Sequence, residues 1–211
     1  MLVLCLDTAT ADVAAAVVDL DDPGRSALAL IRDVRGAGER LMPLALEALS
    51  GCGAELADLM AIAVGLGPGP FTSLRAGVVT GAMLARTLGI PAYGACSLDL
   101  FALPNSVVAT DARRREVYWA AYDATAQRTH GPNVDRPFVL AGRLGGDLAG
   151  HVVSGPGTGL YPQHFGAADD AALPIVRLAG LVADRARAGA PGEVMVPLYL
   201  RRPDATEPLA P

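Results

Sequence analysis

Asp7 closes the apolar run Leu2–Leu6 and is followed by Thr8 and Thr10. A carboxylate and two hydroxyls just past a strand are residue types that can face a phosphate. Asp7, Thr8 and Thr10 therefore form a candidate phosphate loop. The same spacing suits a turn in which Asp7 bonds its own backbone, and the residues leave both readings open. The second candidate is the loop Gly65-Leu66-Gly67-Pro68-Gly69-Pro70-Phe71-Thr72-Ser73. It fails as a dinucleotide fingerprint, because position 70 is Pro and no acid follows at about 20 residues. It fails as a phosphate-binding Walker loop for want of the Lys. What remains is a strand running into a helix N-terminus, whose free N–H groups can hold an anion, or a rigid turn that aims Phe71. Thr72 or Ser73 is placed to cap that helix.

Other chemistry finds little support. His130, His151 and His164 share no metal-ligand spacing with each other or with a cysteine. Ser73, Ser97 and Ser154 sit in no nucleophile elbow. Asp21-Asp22 and Asp169-Asp170 read as solvated turns, as does Arg113-Arg114-Arg115. Cys5, Cys52 and Cys96 are odd in number and far apart, as reduced thiols of a cytoplasmic protein would be. An enzyme acting on a nucleotide would have only Asp7 and Asp111 as acid or base. There is no lysine among the 17 basic residues, which excludes Schiff-base chemistry. The formal charge of −5 argues against a protein built to grip a nucleic-acid backbone. No uncharged run has the length and apolarity of a membrane span, and the start lacks the positive flank of a signal peptide.

These candidates need elements to hold them. Leu2–Leu6, Val13–Leu20 and Ala27–Val34 read as three strands joined by turns, so the sheet opens antiparallel. Glu39–Ser50 is a helix with Leu41, Leu44, Ala45 and Ala48 at i, i+3, i+4 and i+7. Leu59–Val64 is a strand covered on both faces, and about Leu74–Leu88 is a second helix ended by Gly89. That helix carries Gly77, Gly81 and Ala85 at intervals of four, a groove for close approach whose partner is either inside the fold or on another chain. Ser97–Leu103 reads as a short helix, Val107–Thr110 and Glu116–Tyr122 as strands, and Leu178–Ala188 as a helix. Val194–Leu200 reads as a strand-like piece in a Pro-rich tail, and Ala124–Gly150 has no clear pattern. The boundaries expected are residues 1–105 for a first lobe with the interface helices, 106–190 for a second, and 191–211 for the carboxy-terminal segment.

Four blocks now converge. Leu4-Cys5-Leu6-Asp7-Thr8-Ala9-Thr10, the loop from Gly65 to Gly77, Asp111-Ala112-Arg113 with Glu116–Ala120, and Pro197–Arg201 together resemble the TsaB (YeaZ) family. The resemblance implies an α/β fold of the actin-like ATPase, ribonuclease H-like superfamily, with two related lobes, the second reduced. It implies a non-catalytic subunit in threonylcarbamoyladenosine modification of tRNA, the alternative being an ATP-dependent small-molecule kinase or peptidase of the same superfamily. Such a subunit pairs with the catalytic TsaD-type subunit, assembles with a TsaE-type ATPase, and forms a homodimer when alone. It implies contact with tRNA only indirectly, no membrane, and a cytoplasmic location. The interface expected comprises Leu41, Leu44, Ala45, Ala48, Phe71, Leu74, Gly77, Val78, Gly81 and Ala85. The catalytic subunit's paired histidines have no counterpart in Gly38-Glu39-Arg40-Leu41-Met42. Ala9 stands where active members of the superfamily carry glycine. Gly155, Gly157 and Gly159 fall at the adenosine-loop position. The expectation is no cofactor on this chain alone, with ATP or ADP in the complex.

Overall fold

The continuous apolar runs fold as central strands because both faces of their sheets are covered. A computed structural model describes residues 1–22, 24–32, 36–166 and 172–201. The pair Asp169-Asp170, the end of the expected third strand at Val34, and the tail beyond Arg201 lie outside the described residues. The first sheet contains β1 (Leu2–Asp7), β2 (Val13–Asp19), β3 (Ser26–Ile31), β4 (Leu59–Gly65) and β5 (Ala92–Ala95). Its order is β3-β2-β1-β4-β5. β1 to β3 pair antiparallel, as expected, whereas β4 and β5 add in parallel. Helices α1 (Ala37–Gly51) and α2 (Phe71–Leu88) make the connections β3–β4 and β4–β5. A 3-10 turn at Ser97–Phe101 replaces the expected short helix.

The second sheet repeats the plan. It contains β6 (Ser106–Asp111), β7 (Val117–Tyr122), β8 (Arg128–Asp135) and β9 (Val152–Ser154), in the order β8-β7-β6-β9. This is the first sheet without a fifth strand. α3 (Pro137–Leu144) stands where α1 stands, and Gly155-Pro156-Gly157 after β9 echoes Gly67-Pro68-Gly69 after β4. The region Ala124–Gly150, unread in the sequence, thus supplies an edge strand and a helix. α4 (Pro162–Phe165) is a single turn, and α5 (Arg177–Arg187) closes the described helices. Among the described residues, no helix is long and apolar enough to cross a membrane.

Strand alternation divides the apolar side chains among three cores. Leu2, Leu4 and Leu6 of β1, with Ile62 and Val64 of β4, meet Leu41, Leu44, Leu74 and Val78 from the two helices. The opposite face, with Val3, Cys5, Ala61 and Ala63, meets Leu178 and Val182 of α5 together with Val108, Tyr118 and Tyr122 of the second sheet. Trp119, Val107 and Val117 face the other way, onto Leu140 of α3. The segment Val194–Leu200 forms no regular strand. It is held through Glu193 N–H to the Ala92 carbonyl (2.9 Å) and Leu198 N–H to the Leu66 carbonyl (2.7 Å). Pro197 within it has no N–H to continue a ladder.

Candidate functional site

β1 and β4 are parallel neighbours, so their last residues come out at the same edge of the sheet. Asp7 and Gly65 lie side by side there, and a Cβ at Gly65 would collide with the Asp7 carboxylate. Asp7 is fully buried. Its Oδ1 accepts from Ala9 N–H (2.7 Å), and its Oδ2 accepts from Ser97 Oγ (2.5 Å). Ser97 Oγ in turn accepts from Gly67 N–H (3.1 Å). Burial in this apolar setting pushes the Asp7 carboxyl up to about 6, with the two hydrogen bonds acting against the rise. Thr8 is buried too, and its Oγ1 donates to the Ser73 carbonyl (2.7 Å). Gly69 packs directly on the backbone of Ala9, where a side chain on Gly69 would collide. The two loops that could have cradled a phosphate therefore fill one another.

The turn reading of Asp7 is the observed one for its Oδ1, and Ser97 is the partner that the sequence did not show. Of the three expected phosphate-loop residues, Asp7 and Thr8 are sequestered, and Thr10 alone reaches a cleft. The helix after the loop starts at Phe71 with Pro70 at the N-cap position and no side-chain cap. Ser73 Oγ donates back to the Pro70 carbonyl (3.2 Å) instead of capping.

That cleft, of about 310 Å³, lies between the two sheets. Thr10, Asp12, Arg32 and Pro70 line it from the first lobe, and Thr110, Asp111, Arg113 and Pro156 from the second. Asp111 ends β6 as Asp7 ends β1. It accepts from Arg113 N–H (2.7 Å) and pairs with the Arg113 guanidinium at 3.1 Å. Arg32 stands 3.9 Å from Asp12. Each guanidinium thus has a carboxylate beside it, and Thr10 and Thr110 add the hydroxyls. If a nucleotide binds, these residues, not Asp7, are the ones in reach. Among the described residues, no three His, Cys, Asp or Glu side chains are grouped to hold a metal ion.

The β6–β7 turn at the cleft mouth is unusual. Arg113, Arg114 and Arg115 are exposed and have φ of 58°, 54° and 61°. Left-handed backbone at a residue other than glycine costs about 1 kcal/mol or more each, and here three such residues run in succession. Glu116 N–H to the Arg113 carbonyl (3.0 Å) and Ala112 N–H to the Glu116 carbonyl (3.0 Å) close the turn. Arg201 of the carboxy-terminal segment donates to the Ala112 carbonyl (2.7 Å) and pairs with Glu116. In the same segment, Tyr199 stacks on Phe71 with ring centroids 4.9 Å apart, and the Arg75 guanidinium lies 4.2 Å over the Phe71 ring.

The helical pair turns most of the expected interface residues inward. Leu41, Leu44, Ala45, Ala48, Leu74, Val78 and Ala85 are buried in the first lobe's own core. Gly77 abuts Thr8, and Gly81 comes close enough to Val64 that an added Cβ would sit 2.5 Å from a methyl. The small-residue groove therefore seats α2 on the sheet, and these side chains belong to the chain's own core, with Ala85 also lining a surface pocket beside Ala82 and Met83. Phe71 is half-buried under Tyr199. What α1 and α2 turn outward is a different set. Leu46, Val79 and Met83 are 51%, 52% and 57% exposed, with Met42, Ala76 and Ala82 half-buried among them. The signal lay in the sequence as apolar residues left over once the inward stripe is assigned.

Two ribonuclease H-like lobes facing a cleft, the second one strand short, define a member of the actin-like ATPase class of α/β proteins. The family described as "TsaD: tRNA N6-adenosine threonylcarbamoyltransferase" matches residues 35–147. An uncharacterized protein of Mycobacterium tuberculosis is 44% identical over 99% of this chain and 95% of its own length. The tRNA threonylcarbamoyladenosine biosynthesis protein TsaB of Escherichia coli is 33% identical over 58% of this chain and 55% of its own. Among solved structures, YeaZ from Pseudomonas aeruginosa superposes with a TM-score of 0.69 at 27% identity, covering 92% of this chain and 99% of that one. The chain belongs to the TsaB (YeaZ) family.

Proposed function

We propose that this chain is the non-catalytic partner subunit of the complex that makes threonylcarbamoyladenosine in tRNA. It pairs with a TsaD-type catalytic subunit, the pair assembles with a TsaE-type ATPase, and the free chain pairs with itself through the same face. Family membership supports the pathway. The observation that carries the partner role is the outward face of α1 and α2, where Leu46, Val79 and Met83 stand exposed on adjoining helices. Helices of 15 and 18 residues run roughly 22 and 27 Å. Side by side they offer a large part of the ~800 Å² that one partner contributes to a standard interface. The sequestration of Asp7 and Thr8 supports the absence of turnover, because neither can approach a phosphate without parting two loops.

The test is a Leu46→Glu, Met83→Glu double variant. Both side chains are exposed, so its melting temperature should match wild type. Wild type is expected to co-sediment with the TsaD-type subunit of the same organism, and the variant to sediment apart and to lose support for nucleoside modification measured by mass spectrometry. A variant that pairs as wild type does would reject the face. Modification that proceeds without the chain would reject the role.

A further inference from the structure

The turn Arg113–Arg115 is not used by that reading, and it holds three of the five described non-glycine residues with left-handed backbone. Glycine or asparagine would occupy its left-handed positions with less strain, yet all three hold a long cation. A chain of net charge −5 has concentrated three guanidiniums at one loop tip. Arg113 turns into the cleft beside Asp111, whereas Arg114 and Arg115 are not among the cleft-lining residues. The tip is locked from both sides, by its own turn hydrogen bonds and by Arg201 on Ala112 and Glu116. A strained conformation persists where the surroundings over-determine it, and this one fixes where the arginine side chains start.

We propose that Arg114 and Arg115 contact successive backbone phosphates of the RNA substrate. This rests on the proposed place of the chain in tRNA modification, and it revises the expectation that tRNA is met only indirectly. Guanidinium offers a fork of donors that matches phosphate oxygens. An exposed tip suits a polyanion passing over the surface, where a free nucleotide would be held inside the cleft. The turn residues themselves, Ala112 to Glu116, include no aromatic side chain to stack a base. The contact is therefore to phosphate, positions the RNA, and carries no sequence information.

The experiment uses the full chain in complex with its TsaD-type partner and labelled tRNA, with affinity read by fluorescence anisotropy from 50 to 200 mM salt. The variants are Arg114→Asn with Arg115→Asn, which suits left-handed backbone, and Arg114→Lys with Arg115→Lys, which keeps the charge. Each phosphate contact contributes roughly 0.7–0.9 to the log–log salt slope. The Asn pair should therefore lower the slope by about 1.4–1.8. The affinity lost across that fourfold rise in salt should shrink by about tenfold relative to wild type, and the Lys pair should keep most of the slope. Sedimentation with the partner protein should be unchanged in both. An unchanged slope in the Asn pair, with pairing intact, overturns this proposal and leaves the partner role standing. Loss of ATP binding with unchanged tRNA affinity also overturns it, and assigns the tip to nucleotide phosphate. If the Asn pair melts lower than wild type, an Arg114→Gly, Arg115→Gly pair replaces it under the same criteria.

Discussion

Replacing Asp7 with Asn tests whether the closed loop is a stored cost or a working acid. Asp7 is wholly buried, and burial raises its carboxyl from 3.8 to about 6. A carboxyl raised on folding favours the protonated native state. That stability is fully present below 3.8 and is lost as pH rises through 6. At pH 7.5 the ionised group costs folding about 3 kcal/mol on this shift, an upper value because Asn must re-form the same hydrogen bonds. Asn Oδ1 can still accept from Ala9 N–H, and its amide can donate to Ser97 Oγ. Asp7→Asn should therefore stabilise the chain by about 1–3 kcal/mol at pH 7.5 and by about half as much at pH 5. Urea unfolding followed by circular dichroism at the two pH values reads both numbers. A variant that is less stable at pH 7.5, or a difference that does not change with pH, would refute the account and point to a cation that compensates the carboxylate.

The groove on α2 gives a second test. Gly81→Leu should destabilise the chain by about 3 kcal/mol, because Val64 lies where the new side chain must go. A Gly81→Leu chain as stable as wild type that has lost only its partner would restore the reading of Gly81 as an interface residue. The cysteines give a third. Burial pushes the Cys5 and Cys96 thiols up to about 12, whereas Cys52 is half-buried, with its Sγ against the Arg25 carbonyl at 3.3 Å. Iodoacetamide at pH 8 should add one group to the native protein, at Cys52. Modification of Cys5 or Cys96 without unfolding would contradict the described cores.

The central strands were legible because β1, β2 and β4 are uninterrupted apolar runs, and α1 and α2 because their inward residues recur at helical spacing. β5 was missed, being four residues behind Pro91. β8 was missed because it is an exposed edge strand carrying Gly131 and Pro132. Helical periodicity finds the face that meets the chain's own sheet. It cannot nominate a partner's face, so the expected interface fell on Leu41, Leu44 and Gly77. Asp7 stood out by its position at a strand end. Ser97, which holds it, lies 90 residues away with no local mark. The left-handed arginines were invisible because side-chain type gives no hint of that backbone where neither Gly nor Asn is present.

α5 follows the second sheet in the chain but packs beneath the first, against β5, β4 and β1. Neither half therefore owns a finished interior. A chain severed after Pro104 would leave its amino-terminal fragment with the underside of a sheet bare to water, and the other fragment with a helix seeking a surface it no longer has. The molecule should melt as one cooperative unit, because the borrowed helix completes a core that both sheets line.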